Sequence, residues 1–215
     1  MQFLIFLGPP GSGKGTQADI LASHHWMKIS TGDLLRENIK NDTEIGKRVA
    51  GIMNKGILVS DEIVFEIIKD KIAHTNNPKF LLDGFPRNAA QALLLDTLIE
   101  EVGANYQVFL VDLSDEEIVK RNTGRRICKK CNRIYNIHYS QPREFNKCDE
   151  CGTELITRKD DAEDIIRKRI DVYKSEMNDL LKFYNQKKGI VRIDGSLSAS
   201  EIHNTILTHI EDENR

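Results

Sequence analysis

Long apolar runs are missing from this 215-residue chain: the opening Phe3-Leu4-Ile5-Phe6-Leu7 has only five residues, against the ~20 that a membrane-spanning helix needs. No basic stretch precedes it, and it is too short for the apolar part of an export signal. The expectation is a cytoplasmic protein. An excess of one charge is missing too, because 31 Lys and Arg stand against 33 Asp and Glu, for a net charge of −2, with both signs interspersed. That balance gives no pointer to nucleic acid or to a membrane surface, and leaves small acidic metabolites as partners. Internal repeats, low-complexity tracts and an unbroken a/d heptad seam are all absent, so a monomer is the default. Cysteine is absent outside residues 128–151, which argues against a chain-wide disulfide framework.

What is present begins at residue 8. Residues 8–16 spell GPPGSGKGT, directly after the apolar run and directly before a helical pattern. Strand, glycine-rich loop and helix in that order build a phosphate cradle. Gly8, Gly11 and Gly13 let the backbone turn with positive φ and approach an anion closely, so successive N–H groups and the helix N-terminus point at one spot. Lys14 adds a mobile positive charge there. Many such loops carry Ser or Thr after the lysine to hold magnesium, whereas here Gly15 follows and Thr16 comes one later. Metal is then expected to be held mainly through waters and the nucleotide.

The length suits one domain, or one with insertions. Apolar runs and caps predict strands over 3–7, 28–29, 80–83, 106–111 and 190–193. They predict helices over 13–25, 31–40, 44–55, 61–74, 88–101, 115–122, 162–186 and 198–210. Ser60 is a candidate N-cap, and Ser114 with Glu117 and Ser198 with Glu201 have capping-box spacing. Strands separated by helices of this length imply an α/β fold with a parallel sheet covered on both faces.

Between Thr123 and Asp161 the composition changes abruptly. Cys128-x2-Cys131, sixteen intervening residues and Cys148-x2-Cys151 fit the spacing of a tetrahedral zinc site. Two disulfides, or four clustered free thiols, are the competing readings; iron or cobalt would satisfy the same ligands. Four thiolates leave no open position, so the metal is expected to be structural.

Arginines supply the third pattern. Arg36, Arg87, Arg121, Arg125, Arg126, Arg158, Arg167 and Arg169 stand at element ends or beside the cysteine segment, and phosphoryl transfer uses such planar forks around several phosphates. Any one surface arginine is more often solvated or weakly paired. Arg167 and Arg169, two apart on a helix, face different ways and should not serve one site. Asp160 and Asp161 are candidates for positioning the segment through arginines.

Taken together, GPPGSGKGTQ, STGDLLR at 30–36, LLDGFPRNAAQ at 81–91, TGRRIC at 123–128, TRKDD at 157–161 and IRKR at 166–169 resemble the adenylate kinases of the long, zinc-containing bacterial type. The resemblance implies a three-layer P-loop NTPase fold with a five-stranded parallel sheet. It implies core segments 1–29, 60–123 and 162–215, an AMP-binding helical insertion at 30–59 and a zinc-bearing lid at 124–161. The implied reaction is MgATP plus AMP giving two ADP. By the same resemblance Gly11, Ser12, Gly13, Lys14, Gly15 and Thr16 hold the ATP phosphates, with Arg121 and Arg125 beside them. Ile134, Tyr135 and the backbone of Leu197 lie along the adenine of ATP. Thr31, Arg36, Ile57, Leu58, Val59, Gly84, Phe85, Pro86, Arg87 and Gln91 bind AMP. Arg158 and Arg169 complete the cage, Lys14, Arg87, Arg125, Arg158 and Arg169 form the catalytic set, and Asp83 orients magnesium through water. Thr31 with Gln91 favours AMP over pyrimidine monophosphates, and Asn88 departs from the threonine common after FPR.

Three rivals remain at this stage. A GTP-using or other nucleoside monophosphate kinase shares every motif. A zinc ribbon presenting Lys129, Lys130, Arg133 and Arg143 to nucleic acid is opposed by Glu144, Asp149, Glu150 and Glu154 in the same segment and by the lack of a recognisable stacking platform. A P-loop protein that binds ATP without turnover is the third.

Overall fold

The computed structural model describes residues 1–54 and 59–212. Five parallel strands form the central sheet: β1 (Gln2–Leu7), β2 (Met27–Ser30), β3 (Lys79–Asp83), β4 (Asn105–Asp112) and β8 (Val191–Asp194), in the order β2-β3-β1-β4-β8. Alternate residues of β1 enter opposite cores. Phe3, Ile5 and Leu7 pack under α4 (Asp61–Ala73), α5 (Ala89–Glu101) and α7 (Glu163–Lys187), together with Phe80, Leu82, Val108 and Leu110. Leu4 and Phe6 pack with Leu81, Phe109 and Ile193 under α1 (Lys14–Ala22) and α8 (Ala199–Asp212). Strands buried on both faces explain why the sequence shows continuous apolar runs there rather than alternation. The sheet runs out from β1 in both directions, and the crevice beyond the carboxyl end of β1 is where open α/β sheets take ligands. The GPPGSGKGT loop occupies that crevice.

Helix α2 (Thr31–Lys40) and α3 (Glu44–Asn54) pack against each other beside the edge strand β2. Helix α6 (Asp115–Thr123) leads into a second, antiparallel sheet of β5 (Arg125–Cys128), β6 (Ile134–Asn136) and β7 (Leu155–Ile156), ordered β6-β5-β7. Its small core is Cys128, Tyr135, Cys148 and Leu155.

Helix boundaries differ in small ways. Helix α1 starts at Lys14 and ends at Ala22, because Gly13 and His25 both adopt positive φ. Ser198 and Glu201 form the reciprocal box, with Ser198 N donating to Glu201 Oε2 at 2.9 Å and Glu201 N to Ser198 Oγ at 3.3 Å. Ser114 accepts from Glu117 N at 3.4 Å, but the Glu117 carboxylate turns to Arg121, so that box is only half made. Ser60 is the N-cap residue of α4, as expected, but its side chain makes no cap bond. Among the described residues no helix is long and apolar enough to cross a membrane.

Candidate active site

The phosphate loop is shaped by close backbone approach. At Gly11, φ is +80° and a Cβ would lie 2.2 Å from Asn122 Nδ2; at Gly8, φ is +141° and a Cβ would lie 2.4 Å from the Val111 carbonyl. Neither position can hold another residue without moving its neighbour. Lys14 folds back into the loop it will serve, donating to Gly8 O at 2.8 Å, Pro9 O at 2.7 Å and Ser12 Oγ at 3.2 Å. Burial lowers its pKa to about 8; Asp83 opposes that shift, while Arg87, Arg169 and Arg125 add to it. Asp83, at the end of β3, faces the first turn of α1, since a Cβ on Gly15 would stand 3.4 Å from its Oδ2. A side chain at position 15 would crowd that carboxylate. Ser12 is buried and Thr16 exposed. Leu197 is exposed in the β8–α8 loop, which lies beside the phosphate loop because a Cβ on Gly195 would be 3.4 Å from Ser12 O.

Of the eight arginines, five converge on the cleft. Arg36 Nη2 donates to Asp33 Oδ1 at 2.6 Å, and Arg158 Nη2 stands 3.7 Å from the same oxygen. Arg125 forks onto Asp161, with Nε to Oδ2 at 2.8 Å. Arg169 Nη1 donates to Asp160 Oδ2 at 3.1 Å, and Arg87 Nε to Gly84 O at 2.9 Å. Desolvation lowers Arg158 and Arg87 each to about 10. Mutual repulsion adds to this, from Arg36 on Arg158 and from Arg169 on Arg87. Arg87 is itself exposed, with Arg169 and Arg36 crowded beside it. Arg169 is lowered by desolvation against the pull of Asp160. Cations that repel one another and lean on aspartates form a field that phosphate groups would relieve.

The other three arginines are engaged elsewhere. Arg126 donates to the carbonyls of Thr123 and Arg125, and Arg167 pairs with Glu163 at the surface. Arg121 Nε donates to Glu117 Oε1 at 2.9 Å, and the guanidinium lies 5.4 Å from the Tyr139 ring centroid. Its charge is felt at Asp194, three residues before Leu197.

A second cavity in the cleft is lined by Thr31, Leu35, Arg36, Val59, Gly84, Arg87 and Gln91, with Asp160 and, from α7, Arg169. Thr31 Oγ1 donates to Gly84 O at 2.9 Å. Phe85 is fully buried, the Phe85-Pro86 peptide is cis, and Gln91 is only 2% exposed. Ile57 and Leu58 lie outside the described residues.

The adenylate kinase family model matches residues 6–189. The chain belongs to the adenylate kinase family. Its similar relatives include the protein named adenylate kinase from Caldicellulosiruptor bescii, 47% identical over 187 residues that make up 86% of this chain and 87% of that one. The Thermodesulfovibrio yellowstonii adenylate kinase is 43% identical over 97% of this chain and 98% of its own. The Archaeoglobus fulgidus adenylate kinase is 44% identical over 90% of each.

In this adenylate kinase family member the four cysteine sulfurs all lie within 4.8 Å of one another. Cys128–Cys151 and Cys131–Cys148 are 3.4 Å apart and Cys131–Cys151 3.8 Å. A tetrahedron with Zn–S bonds of about 2.3 Å has edges of about 3.8 Å. The group therefore fits structural zinc, and the distances exclude disulfides. Tyr135 Oη donates to Cys148 Sγ at 3.5 Å and lowers that thiol to about 6, while accepting from Asp149 N at 2.7 Å. Tyr135 is 3% exposed, with its hydroxyl tied into the sulfur core, and its neighbour Ile134 is 41% exposed.

Several residues of the site escaped sequence reasoning. Asp33 sits inside the quoted STGDLLR, yet its pairing with Arg36 and Arg158 depends on two elements meeting. Asn122, fully buried, donates to Pro10 O at 2.9 Å and Ile118 O at 2.7 Å, tying the phosphate loop to α6. Asp61 accepts from Asn88 and Gln91. Only a polar residue on an otherwise apolar helix face could have signalled Asn122.

Proposed function

We propose that the chain transfers the terminal phosphoryl group of MgATP to AMP, reversibly, giving two ADP. The observation that carries this reading is the convergence of Lys14, Arg36, Arg87, Arg125, Arg158 and Arg169 on one cleft between the phosphate loop and a second cavity. One anionic group would not need six cations; two nucleotides meeting end to end would.

The donor's phosphates lie on the backbone N–H groups of Gly11 to Thr16. Lys14 leaves its carbonyl partners to reach the transferred group, and Arg125 arrives from the lid side. Arg121, Ile134, Tyr135 and the Leu197 backbone border the donor base. AMP occupies the cavity of Thr31, Arg36, Val59, Gly84, Arg87 and Gln91. The attacking nucleophile is an oxygen of AMP's own phosphate, so the protein supplies alignment and positive charge and forms no covalent bond. Arg87, Arg158 and Arg169 span both phosphate chains as negative charge redistributes. Asp83, facing the first turn of α1, would hold through water the magnesium that comes with the nucleotide, which would supply further charge neutralisation. Closure of residues 124–161 over 1–29, 60–123 and 162–215, together with the 30–59 insertion, removes water that would otherwise accept the phosphoryl group. The working form is a cytoplasmic monomer that binds neither nucleic acid nor membrane.

A coupled assay of ADP formation, with AMP, CMP, UMP and GMP as acceptors and ATP or GTP as donor, tests the reading. Turnover is expected with ATP and AMP above all other pairs. A folded preparation that forms no ADP from that pair overturns it, and preference for GTP would reassign the donor.

A further inference from the structure

Among the described residues lining the acceptor cavity, Gln91 is the one carboxamide. Its Oε1 accepts from Arg87 N at 2.8 Å, and its Nε2 donates to Asp61 Oδ1 at 2.6 Å. A backbone N–H can only donate and an ionised carboxylate can only accept, so these partners dictate which end of the amide is oxygen and which is nitrogen. Asp61 is itself held by Asn88 Nδ2, at 3.2 Å to Oδ1 and 3.1 Å to Oδ2. Asn88 Oδ1 in turn accepts from Gln91 N at 2.8 Å as the cap of α5. The contacts close a ring around the first turn of that helix.

An amide pinned at both ends cannot turn over to exchange them. It keeps one N–H and one oxygen lone pair for a ligand. A 6-aminopurine offers an exocyclic N–H donor beside ring-nitrogen acceptors. A 6-oxopurine offers a carbonyl acceptor at that position and an N–H donor at N1. A freely turning carboxamide would serve either base, whereas a fixed one serves one of them.

We propose that Asp61, held in place by Asn88, sets the acceptor-base specificity by locking Gln91 in the orientation that matches a 6-aminopurine and mismatches a 6-oxopurine. The inference rests on the reading of this cavity as the AMP site. Asp61 touches no substrate in this account; it is a positioning residue. The same contacts give the Asn88 departure a role: its amide donates to Asp61 while its oxygen caps α5.

The test is the ratio of kcat/KM for AMP to that for IMP, with MgATP as donor, in the wild type and in Asp61→Ala, Asp61→Asn and Asn88→Ser. Removing Asp61 leaves the nitrogen end of Gln91 without its fixed acceptor. The ratio is expected to fall about tenfold or more in Asp61→Ala, the scale of one lost charge-assisted hydrogen bond, and by less in Asp61→Asn, whose amide oxygen can still accept from Gln91 Nε2 but carries no charge. The fall should come through KM, with kcat for AMP little changed. Asn88→Ser keeps a cap on α5 but loses the amide donor, so a smaller fall in the same direction is expected. Thermal melts confirm folding, and if Asp61→Ala does not fold, Asp61→Asn and Asn88→Ser decide. A KM that rises equally for both nucleotides, or an unchanged ratio, overturns the proposal, as does a wild type that takes IMP as readily as AMP. A wild type that phosphorylates no monophosphate would sink the functional reading, and this inference with it.

Discussion

Lys14 is buried with a pKa lowered to about 8, its charge held among three neighbouring arginines and a single nearby aspartate. Bound phosphates would favour the charged form, so the free enzyme should titrate at lower pH than the complex. The expected outcome is a kcat/KM for ATP that declines above about pH 8, with kcat holding to higher pH; coincident profiles would contradict it. The sign for stability is opposite to that of a paired lysine. Folding lowers this pKa from about 10.4 in the unfolded chain, so the buried charge opposes folding below pH 8, and the penalty fades as pH rises toward 10. Lys14→Met should therefore raise the melting temperature more at pH 7 than at pH 10. Gly11 makes a sharper residue-scale case, because positive φ and the 2.2 Å approach to Asn122 Nδ2 coincide there. Gly11→Ala should raise the KM for ATP about tenfold or more and cost about 1–3 kcal/mol of stability, measured by steady-state kinetics and urea unfolding. The motif letters made these residues visible in the sequence. Spacing alone did not separate Arg36, Arg87, Arg125, Arg158 and Arg169 from the other three, because they come from separate stretches of chain and meet only through the fold; the family resemblance singled them out, together with Arg121.

At the scale of elements, legibility followed length and burial. Strands β1, β3 and β4 announced themselves as apolar runs because both faces are buried. Strands β5, β6 and β7, of four, three and two residues, are too short to show a period, and they are held by register with one another and by the sulfur cluster. Caps were legible as spacing but not as geometry. Ser198 and Glu201 exchange both bonds, whereas Ser60 makes no side-chain cap bond. Ser198→Ala is therefore expected to cost about 1 kcal/mol in thermal or urea unfolding, and Ser60→Ala within about 0.5 kcal/mol. Equal costs at both sites would show that serine identity at the helix start matters more than the bond it makes.

For the whole molecule, two bodies of unequal self-sufficiency share one chain. The five-stranded sheet buries residues on both faces under two large apolar clusters. The three-stranded sheet has a core of four buried residues, two of them cysteines. A core that small cannot offset the ordering of residues 125–156 by burial alone. Metal binding to four thiolates, worth about 10–16 kcal/mol in small zinc modules, can. Arg125 and Asp161, which connect this sheet to the phosphate site, depend on it for their placement. Stripping the metal with a chelator, or replacing Cys128 and Cys131 with serine, should therefore separate the two bodies. Hydrogen exchange and proteolysis should increase first across residues 125–160, while amides of β1, β3 and β4 stay protected. Phosphoryl transfer should drop at the same time, because Arg125 loses its platform. Uniform loosening of the whole chain would mean instead that the two sheets fold as one unit; unchanged protection at 125–160 would mean that the sulfur cluster bears no metal that the fold requires.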